Sequence, residues 1–119
     1  MDEKNILRIS QVERPWGGFR QFTRNSLSTV KIITVNPNEQ LSLQSHTKRE
    51  EFWRVVGGGG TIEINGMKYI ASKDQEYSVP LGAKHRMSAS LDGMVVLEIA
   101  VGEFDEEDIT RYEDKYGRV

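Results

Sequence analysis

Residues 44–58 read Gln44-Ser-His46-Thr-Lys-Arg-Glu-Glu51-Phe-Trp-Arg-Val-Val-Gly-Gly58, and residues 80–86 read Pro80-Leu-Gly82-Ala-Lys-His85-Arg86. Both histidines of the chain lie in these segments, each after a turn signal and each entering a strand-like run. Gln44 and His46 would share one face of a strand, because side chains alternate with a period of two. Strand pairing can bring a distant donor beside them. The segments therefore predict one divalent metal site made of four N and O donors: Gln44, His46, Glu51 and His85.

Composition limits the class of protein. The 119 residues fit a single domain, and a formal charge of −2 with pI near 5.7 disfavours nucleic acid and anionic membranes as partners. The absence of cysteine excludes disulfides and a thiolate metal site. Neither a signal-peptide pattern nor an apolar run of membrane-spanning length is present. We therefore expect a cytoplasmic protein with a small soluble ligand.

Short strand-like runs recur along the chain, separated by turn residues, and they predict an all-β sandwich or barrel. Asn65-Gly66 is typical of a two-residue hairpin turn between antiparallel strands. Gly57 to Gly60 would be a turn between strands, since a phosphate-binding loop would open a helix. The predicted strands cover residues 18–23, 29–35, 40–45, 51–56, 61–64, 68–71, 76–79, 86–89 and 94–101.

The last part of the chain departs from this pattern. Residues 104–112, Phe104-Asp-Glu-Glu-Asp108-Ile-Thr-Arg111-Tyr, predict one short C-terminal helix with acids in its first turn. We expect one domain over residues 1–119, with an N-terminal arm over about 1–25, a barrel over about 26–102 and a tail over 103–119.

Several motifs together resemble a known family. Pro80-x-Gly-x-x-His85 and the first segment are similar to the two cupin motifs, with Gln44 in place of the first histidine. Arg14-Pro-Trp-Gly17 and Asp114-Lys-Tyr-Gly-Arg118 lie outside the generic motifs. With them the chain resembles type II mannose-6-phosphate isomerases from about residue 14 to 118. The chain differs from that family at Thr47-Lys48, Phe52 and Ala89.

The resemblance implies a cupin double-stranded β-helix, or jelly-roll barrel, with mannose-6-phosphate isomerase activity. In such an enzyme a divalent metal stabilises the enediol between mannose 6-phosphate and fructose 6-phosphate. Zinc suits the predicted ligands, and manganese, cobalt, iron or nickel are alternatives. The resemblance assigns a catalytic role to Arg86. Residues predicted to bind the phosphorylated sugar are Arg14, Trp16, Lys31, Arg49 and Arg118.

Some alternatives remain open at the level of sequence. The chain could be a non-catalytic cupin that binds a sugar or sugar nucleotide, or another metal-dependent cupin enzyme such as an oxygenase. Glu98 could be the proton-transfer base or an ion-pair partner that lines the barrel, and the second role is favoured. For Trp53 a core position is favoured over sugar stacking. Exposed strand edges also predict a homodimer.

Overall fold

A computed structural model describes residues 7–119, which form nine β-strands and no helix. The all-β prediction is confirmed, and the short C-terminal helix is wrong. Since the described residues include no helix, none of them belongs to a helix that could cross a membrane. The strands are β1 Ser10–Arg14, β2 Gly17–Gln21, β3 Ser28–Val35, β4 Leu43–Ser45, β5 Arg49–Ile64, β6 Met67–Ser72, β7 Glu76–Val79, β8 His85–Gly102 and β9 Thr110–Glu113.

Two long strands organise the molecule. β5 and β8 are antiparallel along almost their whole length and take part in two layers. In one layer β3 pairs with the second half of β8, and β7 pairs with the first half of β5. In the other layer β6 pairs with the second half of β5, while β4 and β9 continue from the start of β8. This is a jelly-roll arrangement, whose hydrogen-bonded path ends at β6 and β9 and does not close.

The four glycines at 57–60 lie where β5 passes from one layer to the other. Two register shifts interrupt its pairing with β8 there, and Gly58 has a φ of 66°. A Cβ on Gly60 would lie 1.9 Å from the Ser88 carbonyl oxygen, so only glycine fits this close approach. The segment is a bulged corner within one strand and opens no helix. Asn65 and Gly66, with φ of 49° and 82°, form the predicted turn between β5 and β6.

The apolar core lies between the two layers. Trp53, Val55, Ile62, Met87 and Val96 are almost fully buried in it. A second cluster forms on the outer surface of the β5 and β8 layer, where the N-terminal arm crosses it. It contains Phe52, Ile99 and Val101 with Leu7, Ile9 and Phe22 packed against them. The arm continues into the β1–β2 hairpin, a separate two-stranded sheet. The domain boundaries stay a prediction, and residues 1–6 of the predicted arm lie outside the described residues.

The C-terminal segment forms no helix, and the carboxylates of Asp105 and Asp108 make other contacts. The Asp105 carboxylate accepts a hydrogen bond from the Glu107 N–H at 3.0 Å, which forms a turn. The Asp108 carboxylate accepts from the backbone N–H groups of Thr47 at 3.0 Å and Lys48 at 2.9 Å. These acids were predicted to stabilise the first turn of a helix. Asp108 instead holds the segment against the loop between β4 and β5, and β9 follows.

Candidate metal centre

Three of the four predicted ligands meet in one buried cluster. His46, Glu51 and His85 are each 2–3% exposed, and one ligand atom from each lies within 4.8 Å of the others. His46 Nε2 is 3.7 Å from Glu51 Oε2, and His85 Nε2 is 3.7 Å from Glu51 Oε1. The sequence pattern thus predicted the convergence of these residues from distant segments. Their role as metal ligands stays a prediction.

The backbone orients both imidazoles for metal binding. His46 Nδ1 lies 2.7 Å from the Asp108 carbonyl oxygen, and His85 Nδ1 lies 2.9 Å from that of Ala83. A carbonyl only accepts, so each Nδ1 carries the proton and each Nε2 presents its lone pair to the cluster. His85 Nε2 is buried and has no hydrogen-bond partner within residues 7–119. The donor set therefore fits a divalent cation.

Burial keeps both imidazoles neutral. It lowers the pKa of His46 to about 4, and it also lowers the pKa of His85 below its ordinary value. Metal ions bind the neutral imidazole, so near neutral pH neither ring has to lose a proton first.

Gln44 is placed on the same side of the sheet as His85. The two residues are directly opposite in the β4–β8 pairing, and opposite residues of an antiparallel pair share a face. The Gln44 Oε1 accepts a hydrogen bond from Ser42 Oγ at 3.0 Å. This position agrees with the predicted amide ligand, and the role itself stays a prediction.

Trp53 connects two buried carboxylates beneath the cluster. Its Nε1 lies 3.1 Å from Glu51 Oε1 and 3.2 Å from Glu98 Oε1. Burial, together with the nearby negative charge of Glu51, raises the pKa of Glu98 to about 7. Trp53 is a core residue, as the sequence favoured, and its indole N–H also orients Glu51.

Two of the predicted cations lie beside the cluster. Arg49 is only 8% exposed, and its guanidinium donates to Glu51 Oε2 from Nε and to His46 Nε2 from Nη2, both at 3.1 Å. Phe104 stacks with this guanidinium at 4.3 Å from its ring centroid and with the Lys31 ammonium at 4.1 Å. The sequence did not single out Phe104, because the predicted helix gave it no place near β3.

Asp108 is a second residue that the sequence did not single out for the site. Its backbone oxygen holds His46, and its carboxylate holds the loop that follows. An acid near the end of the chain gave no sequence signal for this contact, which joins residues 60 to 62 positions apart.

Arg86 and Arg118 lie outside the cluster. Arg86 follows His85 on β8, so it points to the other face, where Nη1 is 3.2 Å from Glu113 Oε1. Arg118 forms an ion pair with Asp114 at 2.6 Å. It lines a cavity with Val35, which pairs with Met94 on β8, whereas Glu51 pairs with Ala100. Six residues along β8, or roughly 20 Å, separate these two positions. The roles predicted for both arginines stay untested.

Arg14 and Trp16 belong to the N-terminal hairpin. Arg14 ends β1, and its Nη1 donates to the Glu13 carbonyl oxygen at 3.1 Å. Trp16 is 73% exposed in the turn before β2. The structure brings neither into the cluster of His46, Glu51 and His85, and their predicted contact with a sugar stays untested.

Comparison with known proteins identifies the family. The sequence model of the family described as Mannose-6-phosphate isomerase C-terminal matches residues 1–114. The chain belongs to this family. It is 37% identical over 111 residues to the mannose-1-phosphate guanylyltransferase ManC of Salmonella typhimurium, covering 92% of this chain and 23% of that protein. It is 34% identical over 110 residues to the alginate biosynthesis protein AlgA of Pseudomonas aeruginosa, covering 91% and 23%.

Solved structures support the cupin fold. The capsular polysaccharide assembling protein CapF of Staphylococcus aureus superposes with a TM-score of 0.64 at 22% identity, covering 89% of this chain and 33% of that one. Oxalate decarboxylase of Bacillus subtilis gives a TM-score of 0.63 at 19% identity, covering 73% and 24%. At these identities the likeness concerns the fold, and the predicted cupin architecture is confirmed.

The predicted activity is corrected by the relatives. The chain resembles mannose-6-phosphate isomerases, and its family carries that description, but the prediction of a mannose-6-phosphate isomerase enzyme is wrong. Proteins that match over nine tenths of the chain are named mannose-1-phosphate guanylyltransferases or xanthan or alginate biosynthesis proteins. The chain spans 23–24% of their length, so it corresponds to one module of such proteins.

Proposed function

We propose that this chain is a non-catalytic cupin module that binds a mannose phosphate or the corresponding sugar nucleotide. The buried His46, Glu51 and His85 cluster, with two cations beside it, is the observation that carries the proposal. The relatives named for guanylyl transfer to mannose 1-phosphate support this ligand class. Mannose 1-phosphate is the acceptor in such a transfer, and a guanosine diphosphate sugar is the product.

A divalent metal is part of the proposal. Two Nε2 lone pairs and a carboxylate converge on one point, with the amide of Gln44 on the same face. Zinc matches a set of two imidazoles and a carboxylate, and such sites keep a further position for an outside oxygen. A cation bound there supplies positive charge toward oxygens of the ligand.

Lys31 and Arg49 would bind the phosphate. Both cations contact the Phe104 ring, and Arg49 also contacts Glu51 and His46 of the cluster. A guanidinium and an ammonium that share one aromatic neighbour would suit an anion with several acceptor oxygens. The sugar would then face the metal side of the same site.

Calorimetric titration tests this function. Zinc-loaded protein should bind mannose 1-phosphate or its guanosine diphosphate derivative, and His85→Ala should lose most zinc and most of that binding. Arg54→Ala is the matched control, because its side chain pairs with Glu76 and Asp74 outside the cluster. We expect this control to bind like the unaltered chain.

Two outcomes would overturn the proposal. If the zinc-loaded chain binds neither compound, the ligand class is wrong. If it converts mannose 6-phosphate to fructose 6-phosphate, the module is catalytic and the proposal is wrong. The homodimer and the cytoplasmic location also remain predictions, and sedimentation velocity at high protein concentration tests the first.

A further inference from the structure

Arg49 brings a positive charge into the metal cluster itself. Its Nε donates to Glu51 Oε2 and its Nη2 donates to His46 Nε2, both at 3.1 Å. A guanidinium has five N–H donors and no acceptor, so His46 Nε2 must accept this bond. That agrees with the proton on His46 Nδ1, which is bonded to the Asp108 carbonyl oxygen.

At His46 the guanidinium uses the one lone pair that a metal would need. An imidazole nitrogen has one lone pair, which can accept an N–H or bind a metal, but not both. Arg49 satisfies two of the three donor groups, while His85 Nε2 and its own Nη1 are buried without a partner among the described residues. The arrangement is therefore a partial substitute for a bound cation.

A displaced guanidinium would stay close to the site. Arg49 already stacks on Phe104, and the same ring carries Lys31. This cation–π contact does not depend on the hydrogen bonds that Arg49 donates to Glu51 and His46. A released Arg49 would therefore stay against Phe104, which Lys31 also contacts, with its N–H donors free for another acceptor.

We propose that Arg49 is an internal counter-cation that a divalent metal displaces, and that the displaced guanidinium joins Lys31 to bind the phosphate of the ligand. The second half of this inference rests on the proposed function. Metal and anion binding are then positively coupled, because each favours the state in which Arg49 has left His46. Such coupling is reciprocal, so a phosphate must raise zinc affinity by the same factor by which zinc raises phosphate affinity.

The first experiment measures zinc affinity without any sugar, by competition with a chelating dye. Arg49→Met removes the competing donors and keeps an apolar chain against Phe104. It should bind zinc at least tenfold more tightly, since displacing two charge-assisted hydrogen bonds opposes metal binding. Arg54→Ala is the control, because Arg54 lies on the same strand but pairs with Glu76 and Asp74 outside the cluster. Equal or weaker zinc binding by Arg49→Met would overturn the proposal.

A second variant covers the case in which Arg49→Met does not fold without metal. Arg49→Lys keeps the charge, but an ammonium cannot reproduce the two-point fork to Glu51 and His46. It should bind zinc several times more tightly than the unaltered chain. Unchanged affinity in this folded variant would contradict displacement just as directly.

The second experiment uses inorganic phosphate as the anion. Zinc at saturation should raise phosphate affinity in the unaltered chain, and Arg49→Met should lose most of that increase. If the variant keeps the full increase, the metal alone binds the anion and Arg49 takes no part. If Arg49→Met tightens zinc binding but no sugar ligand binds, the cation exchange stands and the proposed function fails.

Discussion

Glu98→Gln should change how stability depends on pH. Glu98 is 5% exposed, lies near Glu51 and accepts from the Trp53 indole. Its pKa is raised from 4.5 to about 7, chiefly by burial. An elevated pKa of this size means that ionising Glu98 costs about 3 kcal/mol more in the folded chain than in the unfolded chain. Glutamine keeps the shape and an acceptor oxygen for Trp53, has N–H donors in place of the O–H of the acid, and never ionises.

The sign follows from the acid form. The pKa of Glu98 is higher in the folded chain than in the unfolded chain, so the folded chain holds this proton more tightly. The unaltered chain therefore loses stability as pH rises from about 4.5 to about 7. Above about pH 7 the loss is complete. The stability of Glu98→Gln relative to the unaltered chain should therefore increase by about 2 to 3 kcal/mol between pH 5 and pH 8.

Urea denaturation followed by tryptophan fluorescence measures this difference, with a chelator present to keep the cluster free of metal. The lowered pKa of His46 gives both proteins an opposite trend between about pH 4 and 6.5, which largely cancels in the difference. Glu106→Gln is the control, because it removes one carboxylate that is exposed to solvent. Parallel stability curves for Glu98→Gln and the unaltered chain would refute the argument.

Three further perturbations test the structure around the cluster. Gly60→Ala should lower the free energy of unfolding by about 3 kcal/mol or more, because the added Cβ would lie 1.9 Å from a strand carbonyl oxygen. Gly57→Ala is the control, since the nearest atom to its added Cβ is 3.9 Å away, and it should change the free energy of unfolding by under about 1 kcal/mol. Urea denaturation compares the two, and equal effects would contradict the corner geometry. Asp108→Ala should weaken zinc binding about tenfold in the dye assay through loss of the loop contacts, and unchanged affinity would exclude that support. Deleting residues 114–119 should leave zinc stoichiometry unchanged in elemental analysis, since this tail is bonded to Glu39, and loss of zinc would place the tail at the site.

The fold could be predicted where pattern and turn chemistry act locally. Apolar alternation located most of the strands, and Asn65-Gly66 fixed one turn. The sequence divided β5 and β8 into shorter strands, because glycine ordinarily ends a strand. In the structure the bulges let β5 continue through Gly57 to Gly60 into the second layer. β9 was missed because Asp108, one of the acids that predicted a helix, is bonded to a distant loop.

The site could be predicted only as far as two rules allow: the residue types that bind metals, and the alternation of side chains along a strand. Those two rules brought His46, Glu51 and His85 together. The Arg49 bond to His46 depends on a side-chain rotamer, which spacing does not determine. The same limit applies to Phe104, whose position depends on the path of the C-terminal segment. Resemblance ranked Arg86 and Arg118 highest, yet both are paired with carboxylates outside the cluster.

The charge balance of the cluster explains why an anionic ligand suits it. Without metal, the negative charge of Glu51 is balanced by Arg49, and Glu98 is held partly protonated near neutral pH. A divalent cation adds two positive charges in a space that water barely reaches, beside Arg49 and Lys31. Ionisation of Glu98 offsets only one of them. The remaining positive charge, together with that of Lys31, would be balanced by the phosphate ester of the proposed ligand, which carries nearly two negative charges. This balance would link the three proposals: a bound metal, the displacement of Arg49 and a phosphorylated ligand.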